Sequence, residues 1–205
     1  MQIIRASELG GNARKHISDI FVAGFMQWLK YFSKDEEKLS RAFAHMFVPE
    51  AFHVALIEGE IAGIAACTDG KTPPIHIKAG ELRRHLGLIR GSIAATVLKK
   101  ELENHPYPFP VEPGTGSIEF VATGPDHRGR GVASGIIRHI LANEPYSSFI
   151  LEVADTNETA VRVYEKLGFT EFFRVADKQS KQSGINHLVY MRWGEGRFLI
   201  EQKRR

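Results

Sequence analysis

The first fifty residues show the apolar spacing of a short strand followed by two helices. Residues 2–6 form the predicted strand. After Asn12, which can cap a helix, apolar residues recur three or four positions apart and predict one long helix: Ile17, Ile20, Phe21, Phe25, Trp28, Leu29 and Phe32. Beyond a break at residues 33–35, a second amphipathic helix precedes Pro49, with the apolar residues Leu39, Ala42, Phe43, Met46 and Phe47.

A hairpin and a long connection follow. Residues 51–58 and 61–68 are apolar strands, and Gly59 between them permits the turn. Residues 70–115 are bounded by prolines and are predicted to be a helical insertion. Its helical pattern has one apolar stripe, which Gly87 and Gly91 could interrupt. We expect this stripe to pack on the domain, with a homodimer contact as the alternative: Leu82, Leu86, Ile89, Ile93 and Val97.

The second half of the chain alternates between strands and helices. Strands are predicted at residues 116–123 and 147–154, with a helix at residues 129–143 between them. A helix capped by Asn157 and ended by Gly168 comes next. Two strands at residues 169–175 and 185–193 close the pattern. This order predicts a mixed α/β domain over residues 1–205 with one strand–helix–strand crossover at its centre.

The composition is that of an ordinary folded domain. Of 205 residues, 43% are hydrophobic and 25% are charged. Cys67 is the one cysteine, which rules out an internal disulfide and fits a reducing compartment. The N-terminus lacks an apolar signal core, and the apolar run at residues 61–67 is too short to span a membrane, so the expected location is the cytoplasm.

Charge and histidine spacing argue against two further classes of partner. The net charge of +3 is scattered apart from a basic tail at residues 203–205. Because basic and aromatic residues are not interleaved, we do not expect a nucleic-acid partner. The nine histidines show no metal-ligand spacing, so we expect no metal.

Residues 124–133 carry the first chemical signal. A strand leads into a glycine-bearing loop and then into a helix, whose free N–H groups and dipole favour phosphate oxygens. Gly129 and Gly131 let the main chain approach a ligand because no Cβ stands in the way. Arg128 and Arg130 add charged donors. The sequence therefore predicts a phosphate-binding site.

The same glycines also match part of a dinucleotide fingerprint. Gly129, Gly131 and Gly135 follow a G-x-G-x-x-x-G pattern, and Asp155 lies about 20 residues on, where that fold places an acid. However, residues 125–128 separate the glycines from the strand, and no Lys-Ser or Lys-Thr follows them. Nucleotide binding is therefore the weaker alternative.

Two motifs in this half resemble the GNAT superfamily of N-acetyltransferases. Arg128-x-x-Gly131-x-Ala133 is similar to the R/Q-x-x-G-x-G/A motif that cradles the pyrophosphate of coenzyme A in that family. Residues 151–157, LEVADTN, and residues 164–169, YEKLGF, look like its fifth strand and the end of the following helix. The resemblance covers residues 117–175 closely. It implies a single GNAT-type domain with a mixed, mostly antiparallel sheet flanked by helices.

The resemblance implies acetyl-coenzyme A as the co-substrate. Main-chain groups of the central strand would pair with pantetheine, and the N–H of Val121 would polarise the thioester carbonyl. The family usually has an aliphatic residue at Thr123, but a backbone contact tolerates this change. Asn157 would contact the cofactor, cap its helix, or do both. The implied cofactor-binding residues are Val121, Ala122, Thr123, Arg128, Gly129, Arg130, Gly131, Val132, Ala133 and Asn157.

Tyr164 is the implied general acid. Tyrosine at this position of the family assists the departing thiolate, and a phenol with a pKa near 10 can donate the proton. The alternative is a tyrosine that only fills the core.

Two carboxylates are candidates for the general base, and water is the third option. Glu119 is expected to share a strand face with Val121, with Ile118, Phe120 and Ala122 on the other face. Glu152 interrupts an apolar strand, where an acid is costly unless it is paired or hydrated. Its distance from Tyr164 in the chain resembles that of the base in relatives that acetylate ribosomal-protein N-termini. A structural role is the alternative for each acid.

The expected reaction is direct transfer of an acetyl group from acetyl-coenzyme A to a primary amine in a ternary complex. The sequence does not specify the acceptor, which could be a protein N-terminus, a lysine, a polyamine, an antibiotic or a small metabolite. A non-catalytic acyl-coenzyme A sensor or scaffold is the alternative function.

Overall fold

The computed structural model describes residues 1–104, 106–178 and 180–194. The basic tail at residues 203–205 lies outside the described residues.

The described residues form one seven-stranded sheet. Its strands are β1 (Gln2–Arg5), β2 (Phe52–Ile57), β3 (Glu60–Thr68), β4 (Thr115–Thr123), β5 (Ser148–Ala154), β6 (Thr170–Ala176) and β7 (His187–Gly194). The spatial order is β1-β2-β3-β4-β5-β7-β6. β4 and β5 are parallel, and the other neighbouring pairs are antiparallel. The predicted α/β fold with a mostly antiparallel sheet and a central parallel crossover is therefore confirmed.

Helices cover both faces of this sheet. They are α1 (Ala13–Leu29), α2 (Glu36–Phe43), α3 (Ala79–Leu86), α4 (Leu88–Leu98), α5 (Val132–Asn143), α6 (Glu158–Lys166) and the short α7 (Ser180–Ser183). As predicted, α1 begins directly after Asn12 and α6 after Asn157. The Asn157 side chain caps its helix, but the Asn12 side chain makes no capping hydrogen bond. Among the described residues, none of these helices has the length and apolar character needed to cross a membrane.

The sheet separates two hydrophobic cores. On one face α1 to α4 bury a cluster that includes Phe21, Phe43 and Phe47, with the Phe21 and Phe47 rings edge to face at 5.3 Å. On the other face α5 and α6 bury a cluster that includes Ile136 and Phe149. Because both faces are covered, the central strands are apolar along most of their length.

The β3–β4 connection (residues 69–114) is part of the first core. Leu82 and Leu86 of α3 are buried, as predicted. The interruption that the sequence allowed at Gly87 is present, because this residue, with φ of 86°, ends α3 and resets the helical phase. The prediction that the α4 part of the stripe packs on the domain is wrong. On α4 the buried residues are Gly91, Ala94, Ala95 and Leu98. The predicted stripe residues of α4 are exposed together with Leu88: Ile89, Ile93 and Val97. A homodimer contact through this surface stays a prediction.

A bulge at Phe120 interrupts the alternation of β4. Phe120 has a positive φ of 52°, and the β3–β4 register shifts between Ile64 and Ala66. Phe120 and Ala122 pack in the first core, whereas Ile118 and Val121 pack in the second. The prediction that Ile118, Phe120 and Ala122 share a face is therefore wrong. Because residues on either side of the bulge change phase, Val121 lies on the same face as Ile118.

An alanine at Gly91 is expected to destabilise the fold. A Cβ there would lie 2.5 Å from the Cα of Arg83 and 2.6 Å from the carbonyl oxygen of Leu82, so α3 and α4 would have to separate. Such overpacking costs about 1–3 kcal/mol of unfolding free energy, and urea denaturation measures it.

Gly80→Ala on α3 is the matched control. A Cβ on Gly80 would meet no described atom within 4 Å. We expect this variant to be neutral or more stable by roughly 0.5–1 kcal/mol. Equal stability of the two variants would contradict the close packing at Gly91.

Candidate active site

The two parallel strands diverge at one end. The register pairs β4 with β5 from Thr115↔Ser148 to Ile118↔Leu151. Beyond this point β4 stays paired with β3 as far as Gly63↔Thr123, and β5 stays paired with β7 as far as Ala154↔Leu188. The facing edges therefore open a wedge, where main-chain groups can pair with an extended ligand.

A cleft of about 830 Å³ lies at this wedge. Its walls come from β4, β5, α1, α6, the start of β7 and the β3–β4 connection. The cleft brings together five residues that the sequence singled out: Glu119, Val121, Glu152, Asn157 and Tyr164.

Tyr164 reaches the cleft from α6 and is 7% exposed. Its ring packs near that of Phe169, with 6.1 Å between the centroids. Burial disfavours the phenolate and raises the pKa of Tyr164 to about 12. The hydroxyl therefore stays protonated at neutral pH and remains available as a proton donor at the cleft.

Glu152 lies on β5 directly opposite Tyr190 of β7. The Tyr190 side chain is buried, and its pKa is raised by that burial, by the negative charge of Glu152 and by a hydrogen bond to the Glu152 carboxylate. The neutral phenol therefore donates to the carboxylate. This partner accounts for an acid within an otherwise apolar strand.

Glu119 lies on β4 at the end of a chain of hydroxyl groups. The Ser117 Oγ donates to Glu119 Oε1 at 2.9 Å, and the Tyr107 hydroxyl lies 2.5 Å from the same Ser117 Oγ. Tyr107 belongs to the β3–β4 connection. Its pKa is raised by burial and by the nearby charge of Glu119. The predicted face shared by Glu119 and Val121 is wrong, because the bulge at Phe120 lies between them.

The glycine loop leads into the N-terminus of α5. Gly129 and Gly131 both have φ of 74°, a conformation that glycine adopts without strain. The first intrahelical bond runs from the Gly135 N–H to the Gly131 carbonyl, so the preceding N–H groups of the helix start are left without intrahelical acceptors. A Cβ on either loop glycine would point into space that no described atom occupies within 4 Å. The exposed side chains of Arg128 and Arg130 lie in this loop.

Three further site residues have structural roles. The Asn157 side chain accepts a 3.2 Å bond from the Ala160 N–H, which makes it the cap of α6 as well as a lining residue. Ala122 packs on α1, since a Cβ on Gly24 would come within 3.0 Å of its Cβ. Thr123 pairs with β3. A contact of Ala122 or Thr123 with a ligand in the wedge would therefore involve the backbone.

The cleft has an aromatic wall that the sequence did not identify. Tyr107 and Phe109 enter it from the proline-rich end of the β3–β4 connection, and Phe25 and Trp28 enter it from α1. The Phe109 ring stands edge to face with Tyr190 at 5.2 Å. The sequence shows prolines next to Tyr107 and Phe109, but the place of these two rings in the fold depends on the path of the whole connection.

Within the described ranges, no group of three or more His, Cys, Asp or Glu side chains is arranged to hold a metal ion. The expected absence of a metal stays a prediction.

Comparisons with known proteins agree with this geometry. Residues 15–169 match the sequence profile of the Acetyltransferase (GNAT) family. A mycothiol acetyltransferase of Rhodococcus jostii (strain RHA1) is 36% identical over 66 residues, which cover 30% of this chain and 21% of that protein. The match therefore spans well under two thirds of that relative's length.

Solved structures share the fold at low sequence identity. An N-acetyltransferase from Staphylococcus aureus Mu50 superposes with a TM-score of 0.58 at 18% identity, covering 94% of this chain and 100% of that one. The ribosomal-protein-S18-alanine N-acetyltransferase from Escherichia coli superposes with a TM-score of 0.54 at 13% identity, covering 95% of each chain.

The raised pKa of Tyr164 predicts a loss of stability at high pH. Above the pKa of 10 of an unfolded tyrosine, the unfolded chain releases a proton that the folded protein retains up to about pH 12. Since the unfolded state then binds fewer protons, stability falls as pH rises, by up to about 1.4 kcal/mol per pH unit for this residue. Urea denaturation between pH 9 and 11.5 should show a shallower fall for Tyr164→Phe.

Tyr31→Phe is the control, because Tyr31 is 76% exposed. Its slope should equal that of the wild type. An unchanged slope for Tyr164→Phe would show that the Tyr164 phenol ionises as it does in water.

Proposed function

The chain belongs to the GNAT acetyltransferase family, and we propose that it transfers an acetyl group from acetyl-coenzyme A to a primary amine by direct attack in a ternary complex. The observation that carries the proposal is the wedge between β4 and β5: Tyr164 lines the cleft at this wedge, and the glycine loop and α5 follow directly from the end of β4.

The loop at α5 suits a diphosphate. Its helix-start N–H groups and the helix dipole favour anionic oxygens, and the empty volume beside Gly129 and Gly131 leaves room for them against the backbone. Under this proposal residues 128–133 hold the diphosphate of the coenzyme. The backbone of residues 121–123 pairs with the pantetheine arm, and Asn157 contributes from the start of α6.

Acetyl-coenzyme A, when bound, supplies an activated acyl carbon and a thiolate leaving group. A carbon–nitrogen bond forms as the carbon–sulfur bond breaks. The Val121 N–H polarises the carbonyl oxygen, and the Tyr164 hydroxyl gives its proton to the leaving sulfur. The raised pKa of Tyr164 keeps that proton in place before the reaction.

The attacking amine must first lose a proton. For a lysine with a pKa near 10.4, the neutral form costs roughly 4–5 kcal/mol at pH 7, whereas an α-amino group near 7.8 costs only about 1 kcal/mol. Glu119 and Glu152 are the proposed acceptors of this proton, since both line the cleft. Their negative charge also favours the approach of a cationic amine.

A panel of amines tests the proposal. α-Amino peptides, lysine peptides, polyamines, aminoglycosides and thiol-free amino sugars are each incubated with acetyl-coenzyme A, and the released thiol is titrated. Cys67 is 5% exposed and burial raises its pKa to about 12, so the native protein should add little background. We expect at least one class to raise release well above hydrolysis. Calorimetric binding of acetyl-coenzyme A without turnover of any class of amine would instead favour the alternative function, a non-catalytic acyl-coenzyme A sensor or scaffold.

Removing the Tyr164 hydroxyl should slow the chemical step. Tyr164→Phe keeps the ring against Phe169, so the fold and acetyl-coenzyme A binding should be retained. Loss of a general acid lowers kcat by about 10²-fold or more. Steady-state kinetics with the amine found above measure this loss, and calorimetry checks that binding is unchanged. A kcat within threefold of the wild type would remove Tyr164 from the mechanism.

Filling the loop cradle should weaken coenzyme binding. Gly131→Ala places a Cβ in the space beside the helix start and strains a φ of 74°, so we expect acetyl-coenzyme A affinity to fall about 10-fold or more by calorimetry. Gly59→Ala in the β2–β3 turn, with φ of 85°, strains the backbone away from the cleft and should leave affinity unchanged. Equal affinity of both variants and the wild type would place the diphosphate elsewhere.

A further inference from the structure

The β3–β4 connection places the Tyr107 hydroxyl group next to side chains of β4. Tyr107 is held in the cleft by aromatic packing, with its ring 5.3 Å from Phe109 and 6.0 Å from Tyr190. Its hydroxyl lies 2.5 Å from Ser117 Oγ, and Ser117 is fully buried. The same Ser117 Oγ lies 2.9 Å from a carboxylate oxygen of Glu119.

The directions of these two hydrogen bonds follow from the number of available protons. An ionised Glu119 carboxylate can only accept, so the single proton of the Ser117 hydroxyl points to it. The Ser117 oxygen is then an acceptor, and Tyr107 must be the donor. The two bonds therefore run in one direction, from Tyr107 through Ser117 to Glu119, and each polarises the next.

We infer that Tyr107 is a positioning residue for Glu119, acting through Ser117, and that the β3–β4 connection thereby belongs to the catalytic apparatus. Tyr107 fixes the Ser117 hydroxyl, and Ser117 fixes one carboxylate oxygen of Glu119 at the wall of the cleft. Glu119 is one of the two carboxylates proposed above to take the proton from the amine. The inference rests on the proposed function, which identifies the amine as the source of that proton.

This chain of bonds distinguishes the two acids of the cleft. Glu152 is bonded to Tyr190 from the neighbouring strand, whereas Glu119 is bonded through a serine to a residue that arrives from a separate segment. A change in the path of the connection would thus alter the geometry of Glu119 and leave the Glu152 bond in place.

Other ionisable groups also face this part of the cleft. The connection contributes Lys71, Glu101 and Glu103, β5 contributes Glu152, and α6 contributes Tyr164. On β3 the buried Cys67 feels the charge of Glu119. The α1 side chains that line the cleft are Phe25 and Trp28, and neither of them is ionisable. The variants below keep all of these groups, so they isolate the effect of two hydroxyl groups.

A titration of Glu119 tests the coupling without any catalysis. Protein carrying glutamate labelled with ¹³C at the side-chain carboxyl is titrated by NMR, and Glu119 is assigned from the signal lost in Glu119→Gln. Hydrogen bonds to a carboxylate stabilise its ionised form, so Tyr107→Phe should raise the titration midpoint by about 0.3–1 pH unit. Ser117→Ala should raise it at least as much.

Kinetics then test the consequence for turnover. Tyr107→Phe and Ser117→Ala should each lower kcat about 3- to 10-fold, the size of one modest hydrogen bond, with the KM for acetyl-coenzyme A within twofold of the wild type. Because both act through one chain, the double variant should be no slower than the slower single variant.

Tyr146→Phe is the matched control, since Tyr146 lies outside the cleft against Phe149. It should change neither the midpoint nor kcat. The inference is overturned if Tyr107→Phe leaves the Glu119 midpoint unchanged, or if the losses in kcat multiply in the double variant. Absence of turnover in the wild type with every amine would instead overturn the proposed function, while the titration still decides the coupling.

Discussion

The divergence of β4 from β5 after Ile118 is the constraint on which the rest of the site depends. Two parallel strands would ordinarily stay paired to their ends. Here a bulge at Phe120, with φ of 52°, follows the last β4–β5 pair, and the end of β4 stays paired with β3. A bulky residue in this conformation costs roughly 1–3 kcal/mol. The Phe120 ring offsets part of that cost by packing against Phe21 at 5.8 Å and Phe52 at 6.3 Å.

The wedge gains its chemistry from segments that are far apart in sequence. α6 brings Tyr164, β5 brings Glu152, and the bulged strand brings Glu119 and Val121. The glycine loop joins the end of β4 to the helix that crosses to β5, so the topology brings the proposed diphosphate site to the end of β4 at which the wedge opens. The β3–β4 connection adds the aromatic wall. In this account the shared fold provides the coenzyme site, and the connection shapes the acceptor side.

Most elements could be predicted because their signals are local. Apolar spacing located the helices, Gly59 located the hairpin turn, and the Arg128–Ala133 motif located the glycine loop. The wrong predictions, the packing of α4 and the faces of β4, have one local and one long-range cause. Gly87 shifted the helical phase, so Ile89 faces solvent. The bulge at Phe120 inverted the faces of β4, because strand alternation assumes an unbroken register.

The hydroxyl chain from Tyr107 to Glu119 had no sequence signal at all. It joins residues of two segments whose proximity depends on how α3 and α4 pack on the first core. The same holds for Tyr190, which pairs with Glu152 through the antiparallel register of β5 and β7. Hydrogen-bond partners of this kind follow from tertiary structure, and they determine how each of the two acids is held.

Amide hydrogen exchange read by NMR tests the central claim most directly. If the wedge and the helix start bind the coenzyme, addition of acetyl-coenzyme A should slow exchange at the amides of Val121 and of residues 131–133 together, while the amides of the β2–β3 turn stay unchanged. Exchange at Val121 and at the α5 start that is the same with and without saturating acetyl-coenzyme A would contradict the account.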